Sequence, residues 1–296
     1  MILRQDIQMR DPFVYLQGDT YYLYGTTDAD CWRGNGGGFS VYTGADLISF
    51  HPPVEVFKAS EGFWGRENFW APEMHRYQGA YYLFASFKAP GTRRATSILR
   101  ADHPLGPFVP WGARAVTPQE WECLDGTLYI DREGKPWIVF CHEWVQEGGG
   151  TICARRLKED LSGAQGEPIL LLSAQIVPWT ARVRHSSGVY GHVTDGPYLY
   201  QGKSRLWMLW SSLTDEGYAA GLSWSETGLV TGPWQHMEQP LCRGDGGHGM
   251  FFHDKQGRLY LTVHSPNKTP LERPLFIRAE DQGDRIVLIG EDRAQA

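Results

Sequence analysis

The sequence predicts an all-β protein, a five-bladed β-propeller built from residues 1–296 as one domain. Two repeated features carry this expectation. A glycine-marked turn runs into an aromatic-rich strand five times, at Gly18 (GDTYYLYGTT), Gly79 (GAYYLFASF), Gly134 (GKPWIVFCHEW), Gly202 (GKSRLWMLWSS) and Gly257 (GRLYLTVHSPN). A repeat of this length that holds several short strands marks a propeller or solenoid. Just upstream of each turn stands a proton-active residue beside Gly or Pro: Asp11-Pro12, Pro72-Glu73, Asp125-Gly126, Asp195-Gly196 and Gly247-His248-Gly249.

Each repeat then supplies the remaining strands of a blade. The first passes through a glycine-rich loop (Gly34 to Gly38) into FSVYTGADLISF, residues 39–50. The second continues with TSILRADHPLGPFVPW, and the third with TICARRLKEDLS and EPILLL. The fourth has YAAGLSWSETGLVTGPW, and the fifth ends in PLFIRAEDQGDRIVLI. These runs read as strands of four to eight residues between Gly, Pro, Asp and Asn breakers, with no sustained helical period. Gly-Pro-Phe (106–108) and Gly-Pro-Trp (232–234) fall at the matching place in two repeats. In a propeller the first strand of each blade lines the axis. The five proton-active residues are therefore expected at one equivalent position around a common funnel.

Composition narrows the function. Net charge is -6 with no Lys/Arg stripe, which argues against nucleic acid or an anionic membrane as partner. The five cysteines are odd in number and scattered, so buried thiols are expected rather than a disulfide framework or a zinc site. No run of 18 apolar residues offers a membrane span. The N-terminal MILRQDIQMRDP lacks the apolar stretch and small-residue cleavage site of a signal peptide, and a cytoplasmic address is expected from it.

Three aspartates, a glutamate and a histidine brought together are electrostatically unfavourable, because neighbouring like charges drive one pKa upward. A fold tolerates such a cluster mainly where chemistry uses it. Turn aspartates before Gly or Pro also bond their own backbone, which is the alternative for any one of them. Carboxylates flanked by Trp and Tyr, with no phosphate loop, Cys/His metal set or G-x-S-x-G elbow, point to glycosidic-bond chemistry. One carboxylate must be ionised as base and another kept protonated as acid, with aromatic rings for sugar faces.

The ordered set Arg10-Asp11-Pro12-Phe13-Val14, Phe69-Trp70-Ala71-Pro72-Glu73 with His75, Asp125-Gly126-Thr127-Leu128, Thr194-Asp195-Gly196-Pro197 and Gly246-Gly247-His248-Gly249 resembles glycoside hydrolase family 43 across essentially the whole chain. The resemblance implies an inverting propeller enzyme acting on arabinose-, xylose- or galactose-containing glycans. It implies Asp11 as general base, Asp125 as the residue that orients the acid and tunes its pKa, and Asp195 as general acid. It also implies His248 near the axis as a holder of a hydrated cation, often calcium, or of a central water; no cofactor is required for the chemistry itself. Phe13, Trp70 (stacking on a sugar), Glu73 and Arg273 are the candidate substrate-side residues, Arg273 having a rim ion pair as its other role. Asp195 departs from the family, whose acid is usually Glu, so its carboxyl is drawn back by roughly 1.5 Å, one C–C bond. Glu73 and Glu143 are the substitutes in reserve, and His142 and Glu143 also have a structural reading. Arg182, Arg184, His185 and His192 would suit a phosphorolytic relative, but solvated loop charge is the preferred reading. The expected activity is exo-cleavage of a terminal L-arabinofuranose from short oligosaccharides, xylose and galactose being the other sugars. The rival is a propeller that binds sugar without cleaving it.

Overall fold

The computed structural model describes residues 1–33 and 36–291; Gly34 and Asn35 of the glycine-rich loop, and 292–296, lie outside the described residues. Five four-stranded antiparallel sheets form in chain order, each from one continuous stretch of sequence. Their inner strands are Arg10–Gln17, Glu67–Tyr77, Cys123–Ile130, Asp195–Gln201 and Gly247–His253. Each is followed by the aromatic strand that the repeated phrase announces: Thr20–Thr26, Ala80–Ala89, Pro136–His142, Leu206–Thr214 and Leu259–Ser265. The two Gly-Pro-aromatic motifs do occupy matching places, leading into the outermost strands Val109–Pro110 and Trp234–His236.

The core lies between blades. Phe39, Phe57, Phe63, Phe69 and Phe87 fill the first seam with edge-to-face and tilted contacts, and Trp179 and Trp210 meet at 4.7 Å in the seam between the third and fourth blades. Aromatic side chains suit this role because one ring spans the wedge between twisted sheets and removes a large apolar area from water. All five cysteines are buried and free, as expected. Among the described residues no helix is long and apolar enough to cross a membrane.

The repeated Asp-Pro, Pro-Glu, Asp-Gly and His-Gly pairs have a common backbone cause. Every inner strand carries a β-bulge, between Arg10 and Phe13, Trp70 and Glu73, Leu124 and Thr127, Asp195 and Tyr198, and Gly247 and Met250. The first bulge residue is left-handed in all five: Asp11 (φ 56°), Ala71 (φ 48°), Asp125 (φ 56°), Gly196 (φ 51°) and His248 (φ 46°). The second is always Pro or Gly. Proline fits because a bulge leaves an N–H unpaired, and proline has none. Glycine is demanded where space runs out: a Cβ on Gly249 would stand 1.7 Å from the Thr262 carbonyl oxygen.

This register corrects the expected equivalence. Asp11, Asp125 and His248 share one position with Ala71 and Gly196, whereas Asp195 lies one residue earlier and Glu73 two residues later. Strand side chains alternate in direction and a bulge resets that alternation, so a shift of one or two residues changes where a group points. Side-chain acceptors close the ring of bulges. The bulge N–H groups of Ala71, Asp125, His248 and Asp11 donate to Thr26 Oγ1 (2.8 Å), Ser86 Oγ (2.9 Å), Ser211 Oγ (2.8 Å) and His264 Nδ1 (3.1 Å), each on the second strand of the preceding blade. The matching place in the third blade is Cys141, opposite Leu124, and a thiol is a weak acceptor. There the Gly196 N–H goes instead to Asp125 Oδ2, at 3.0 Å.

Candidate active site

The left-handed bulges turn Asp11, Asp125 and His248 toward one another on the axis. His248 Nδ1 lies 3.2 Å from Asp11 Oδ1 and 3.6 Å from Asp125 Oδ2. Small residues at the two remaining positions make room: a Cβ on Gly196 would meet His248 Cδ2 at 2.5 Å. Above them opens a cavity of ≈ 480 Å³, lined by Asp11, Asp125, Asp195 and His248 and walled by Trp32, Trp70, Arg94, Trp144, His185 and Tyr218 among others.

The three carboxylates sit in different surroundings. Burial alone would raise the pKa of Asp11, but the His248 and Arg10 charges and the Thr26 hydroxyl (2.7 Å to Oδ2) outweigh it and hold it below the ordinary value. Burial raises Asp125 to about 7, helped by the Asp195 and Asp11 charges. Asp195 is also raised, by burial first and then by Asp11, against the pull of His248 and the Tyr218 hydroxyl. Tyr218 donates to Asp195 Oδ2 at 3.0 Å, and its own pKa is pushed well up by burial and by Asp195, so it remains a donor. His248 is raised because Asp11, Asp125 and Asp195 overcome the effect of burial. His264 is lowered to about 3 by burial and by Arg10, which keeps it neutral and its Nδ1 free to accept the Asp11 N–H. Divergent carboxylate environments of this kind separate a base from an acid.

The other expected site residues fall out differently. Phe13 is buried beneath the funnel against His75 (5.0 Å) and Tyr198 (6.3 Å), two residues past its bulge, and is not a cavity-lining ring. Glu73 occupies the same deeper level, paired with His75 at 3.2 Å. Trp70 does line the cavity, but its Nε1 donates to the Cys31 carbonyl (2.7 Å) and Arg94 lies 4.2 Å from its ring centroid. Trp32 is the exposed ring at this wall, 54% accessible and edge-on to Trp70 at 5.2 Å. Arg273 does not reach the cavity; its guanidinium donates to the carbonyls of Gln5, Pro270 and Glu272. The buried arginines at the site are Arg10, paired with Glu272 at 2.6 Å, and Arg94. Glu143 lines the cavity, ion-paired with Arg94 at 2.6 Å, whereas His142 stacks on Trp121 at 4.3 Å and is not among the lining residues. Arg182, Arg184 and His192 lie on a two-stranded hairpin outside the blades, which sends only His185 into the cavity lining.

Thr26, Arg94 and Tyr218 went unrecognised in the sequence. Thr26 had a signal: with Gln17 opposite Thr20 across the first turn, counting back along an unbulged hairpin sets Thr26 against Asp11. Arg94 and Tyr218 arrive from third strands and have none.

An axial pair of oppositely tuned carboxylates in a five-bladed propeller defines the glycoside hydrolase class. Comparison with known proteins agrees: residues 3–281 match the model of glycosyl hydrolases family 43, and the chain belongs to that family. It is similar to a solved endo-arabinase from Bacteroides thetaiotaomicron, at 40% identity over 98% of this chain and 96% of that one, with a TM-score of 0.87. It is also similar to the extracellular exo-α-(1→5)-L-arabinofuranosidase of Streptomyces chartreusis, 25% identical over 87% of this chain and 79% of that protein. The extracellular exo-α-(1→5)-L-arabinofuranosidase ArbA of Cellvibrio japonicus is 24% identical, and the match spans 53% of this chain and less than half, 46%, of that protein. These extracellular relatives overturn the expected cytoplasmic address. Leaders are removed from mature chains, so the first residues of a sequence are a poor guide to compartment.

Proposed function

We propose that the chain is an exo-acting, inverting glycosidase that releases terminal L-arabinofuranose from oligosaccharides outside the cell. Asp11 is the general base, Asp195 the general acid and Asp125 the group that tunes the acid. One observation carries the reading: Asp11 is held ionised while Asp195, across the same cavity, is pushed toward its protonated form. Asp195 suits the donor role better than Asp125. Each keeps one oxygen without a hydrogen bond among the described residues, Asp125 Oδ2 being taken by the Gly196 N–H and Asp195 Oδ2 by the Tyr218 hydroxyl. Asp125, however, is the one held against His248 on the axis, which suits an orienting role. In a single displacement Asp11 draws a proton from a water attacking the anomeric carbon, and Asp195 passes its proton to the departing oxygen. The arabinose-specific names of the similar proteins support the sugar; one is named an endo-enzyme and two are named exo-enzymes, and release of single arabinose units from an arabino-oligosaccharide is the result expected of exo action.

Among the described residues no three His, Cys, Asp or Glu side chains gather to ligate a metal, and His248 turns its Nδ1 to two carboxylates. The donor set therefore does not fit a calcium ion ligated directly by several side chains, and His248 would be the residue to hold a hydrated one. Proton NMR of the first-formed product from an aryl α-L-arabinofuranoside tests the mechanism, with net inversion expected and net retention refuting it. A panel of aryl arabinofuranosides, xylosides and galactosides tests the sugar. Sugar binding without turnover of any of them would favour the binding-only propeller, for which the shortened acid is the motivating feature.

A further inference from the structure

The loop that enters the fifth blade holds an aspartate outside the axial cluster. Asp245 is left-handed (φ 58°), and its two oxygens accept from two different blades: Oδ1 takes the Tyr218 N–H at 3.1 Å, and Oδ2 takes the Asn267 N–H at 2.9 Å. Each of those residues leads to one carboxylate of the site. The Tyr218 hydroxyl donates to Asp195 Oδ2 at 3.0 Å. Asn267 Oδ1 meets His264 Nε2 at 3.4 Å, and His264 Nδ1 accepts the Asp11 N–H at 3.1 Å. The two branches touch again where the Tyr218 ring stacks on His264, centroids 5.6 Å apart and planes 26° from parallel.

Two glycines are shaped around this arrangement. A Cβ on Gly247 would lie 2.5 Å from Tyr218 Cε1, so only glycine admits the ring. Gly217 (φ 118°) would bring a Cβ to 3.1 Å from Asp245 Oδ1, so it leaves room for the carboxylate.

We propose that Asp245 is a positioning residue, a clasp between the fourth and fifth blades that holds Tyr218 on Asp195 and, through Asn267 and His264, steadies the backbone of Asp11. The proposal rests on Asp195 being the general acid. Its physical content is that one carboxylate sets the placement of both reacting groups without touching substrate. The groups facing Asp195 are Asp11 and Arg10 from the first blade, Asp125 and Cys141 from the third, Tyr218 from its own blade and His248 from the fifth. Of these, Tyr218 is the hydrogen-bond donor, and a donor favours the ionised carboxylate. Loosening Tyr218 therefore moves Asp195 further toward its protonated form, and the alkaline limb of the rate moves to higher pH.

The test compares Asp245→Ala, Tyr218→Phe and the double variant in two readouts. The first is the pH profile of kcat on an unactivated arabinoside. The second is the carbon-13 carboxyl titration of Asp195, assigned by its loss in Asp195→Asn. Asp245→Ala is expected to shift the alkaline limb upward, as Tyr218→Phe does, and to lower kcat about 10-fold, a fraction of the ~10²–10⁴ of a whole acid, with KM nearly unchanged. The double variant is expected to lose less than the product of the two single losses, because both act on Asp195 through Tyr218 and residues acting through one another are not additive. What it loses beyond Tyr218→Phe alone is the branch to Asp11 through Asn267 and His264. An unmoved limb, or additive losses, would overturn the clasp. Asp245→Asn retains an acceptor oxygen and should fall between the two; it carries the test if the alanine variant does not fold. If wild type cleaves no glycoside, the enzyme reading fails, and the carboxyl titration still decides whether Asp245 acts on Asp195.

Discussion

The three aspartates at the axis meet three different electrostatic environments, and each proposed role has its own test. Asp11→Asn keeps the shape and removes the basicity, so kcat should fall by about 10²–10⁴-fold with sugar affinity little changed. Activity within a few-fold of wild type would end its assignment as base. Asp195→Ala should slow glycosides with poor leaving groups strongly and activated aryl glycosides little, since the latter need no proton, and the alkaline limb should vanish. Equal slowing of both substrate types would place the proton donor elsewhere. Asp125 allows a stability test. Its pKa is about 7 in the folded chain against an ordinary 3.8, so the native state binds its proton more tightly than the unfolded chain does. Stability from this group therefore falls as pH rises from about 4 to about 7. Asp125→Asn abolishes that loss, and urea midpoints should show the variant gaining on wild type over this window and levelling above it. A difference that does not vary with pH would contradict the shift. Activity should fall in the same variant, since the carboxylate beside the acid is gone.

At the scale of the element, the bulge is the unit of construction. Five inner strands repeat a left-handed residue followed by Pro or Gly, and titratable side chains, Asp11, Asp125 and His248, occupy three of the five left-handed positions. Gly196→Ala tests this directly. Its added Cβ would stand 2.5 Å from the His248 ring at φ 51°, so His248 or the strand must move. The expected destabilisation is about 1–3 kcal/mol, the usual range for overpacking, with activity lost as His248 leaves the carboxylates. A variant with wild-type urea midpoint and activity would show that the ring has space. The repeat phrases and turn signals were legible in the sequence because they follow local rules of period and turn chemistry. The bulge was not, since nothing in Asp-Pro or Pro-Glu says which of the two residues turns inward. Glu73 was misplaced for that reason, and Phe13 with it.

The whole molecule closes without a strand shared between its ends, because each blade is built from consecutive residues. Closure rests on packing of the first blade against the fifth and on the buried Arg10–Glu272 pair, whose glutamate also accepts from Thr269 at 2.5 Å. Glu272→Gln removes the paired counter-ion of the buried Arg10 and leaves only Asp11 facing it, and should destabilise by about 3 kcal/mol, the lower end of the range for a broken buried pair. Replacing both partners by apolar residues of similar size should recover much of that loss. A single variant that melts with wild type would mean the ring is held elsewhere.

By itself the sequence determined the number of blades, the strands within them, and Asp11, Asp125, Asp195 and His248 as the groups around the axis. Those follow from repetition and from side-chain chemistry, both of which can be read along the chain. Tertiary structure alone decided which neighbours those groups meet: Tyr218 on Asp195, Arg10 rather than Arg273 at the site, and Trp32 rather than Trp70 as the exposed ring. Each of these arrangements depends on segments that are not neighbours along the chain: first and third strands of one blade for Tyr218 and Asp195, first and fifth blades for Arg10 and Glu272. Its geometry depends on the bulge and twist of whole sheets, and no local pattern encodes it.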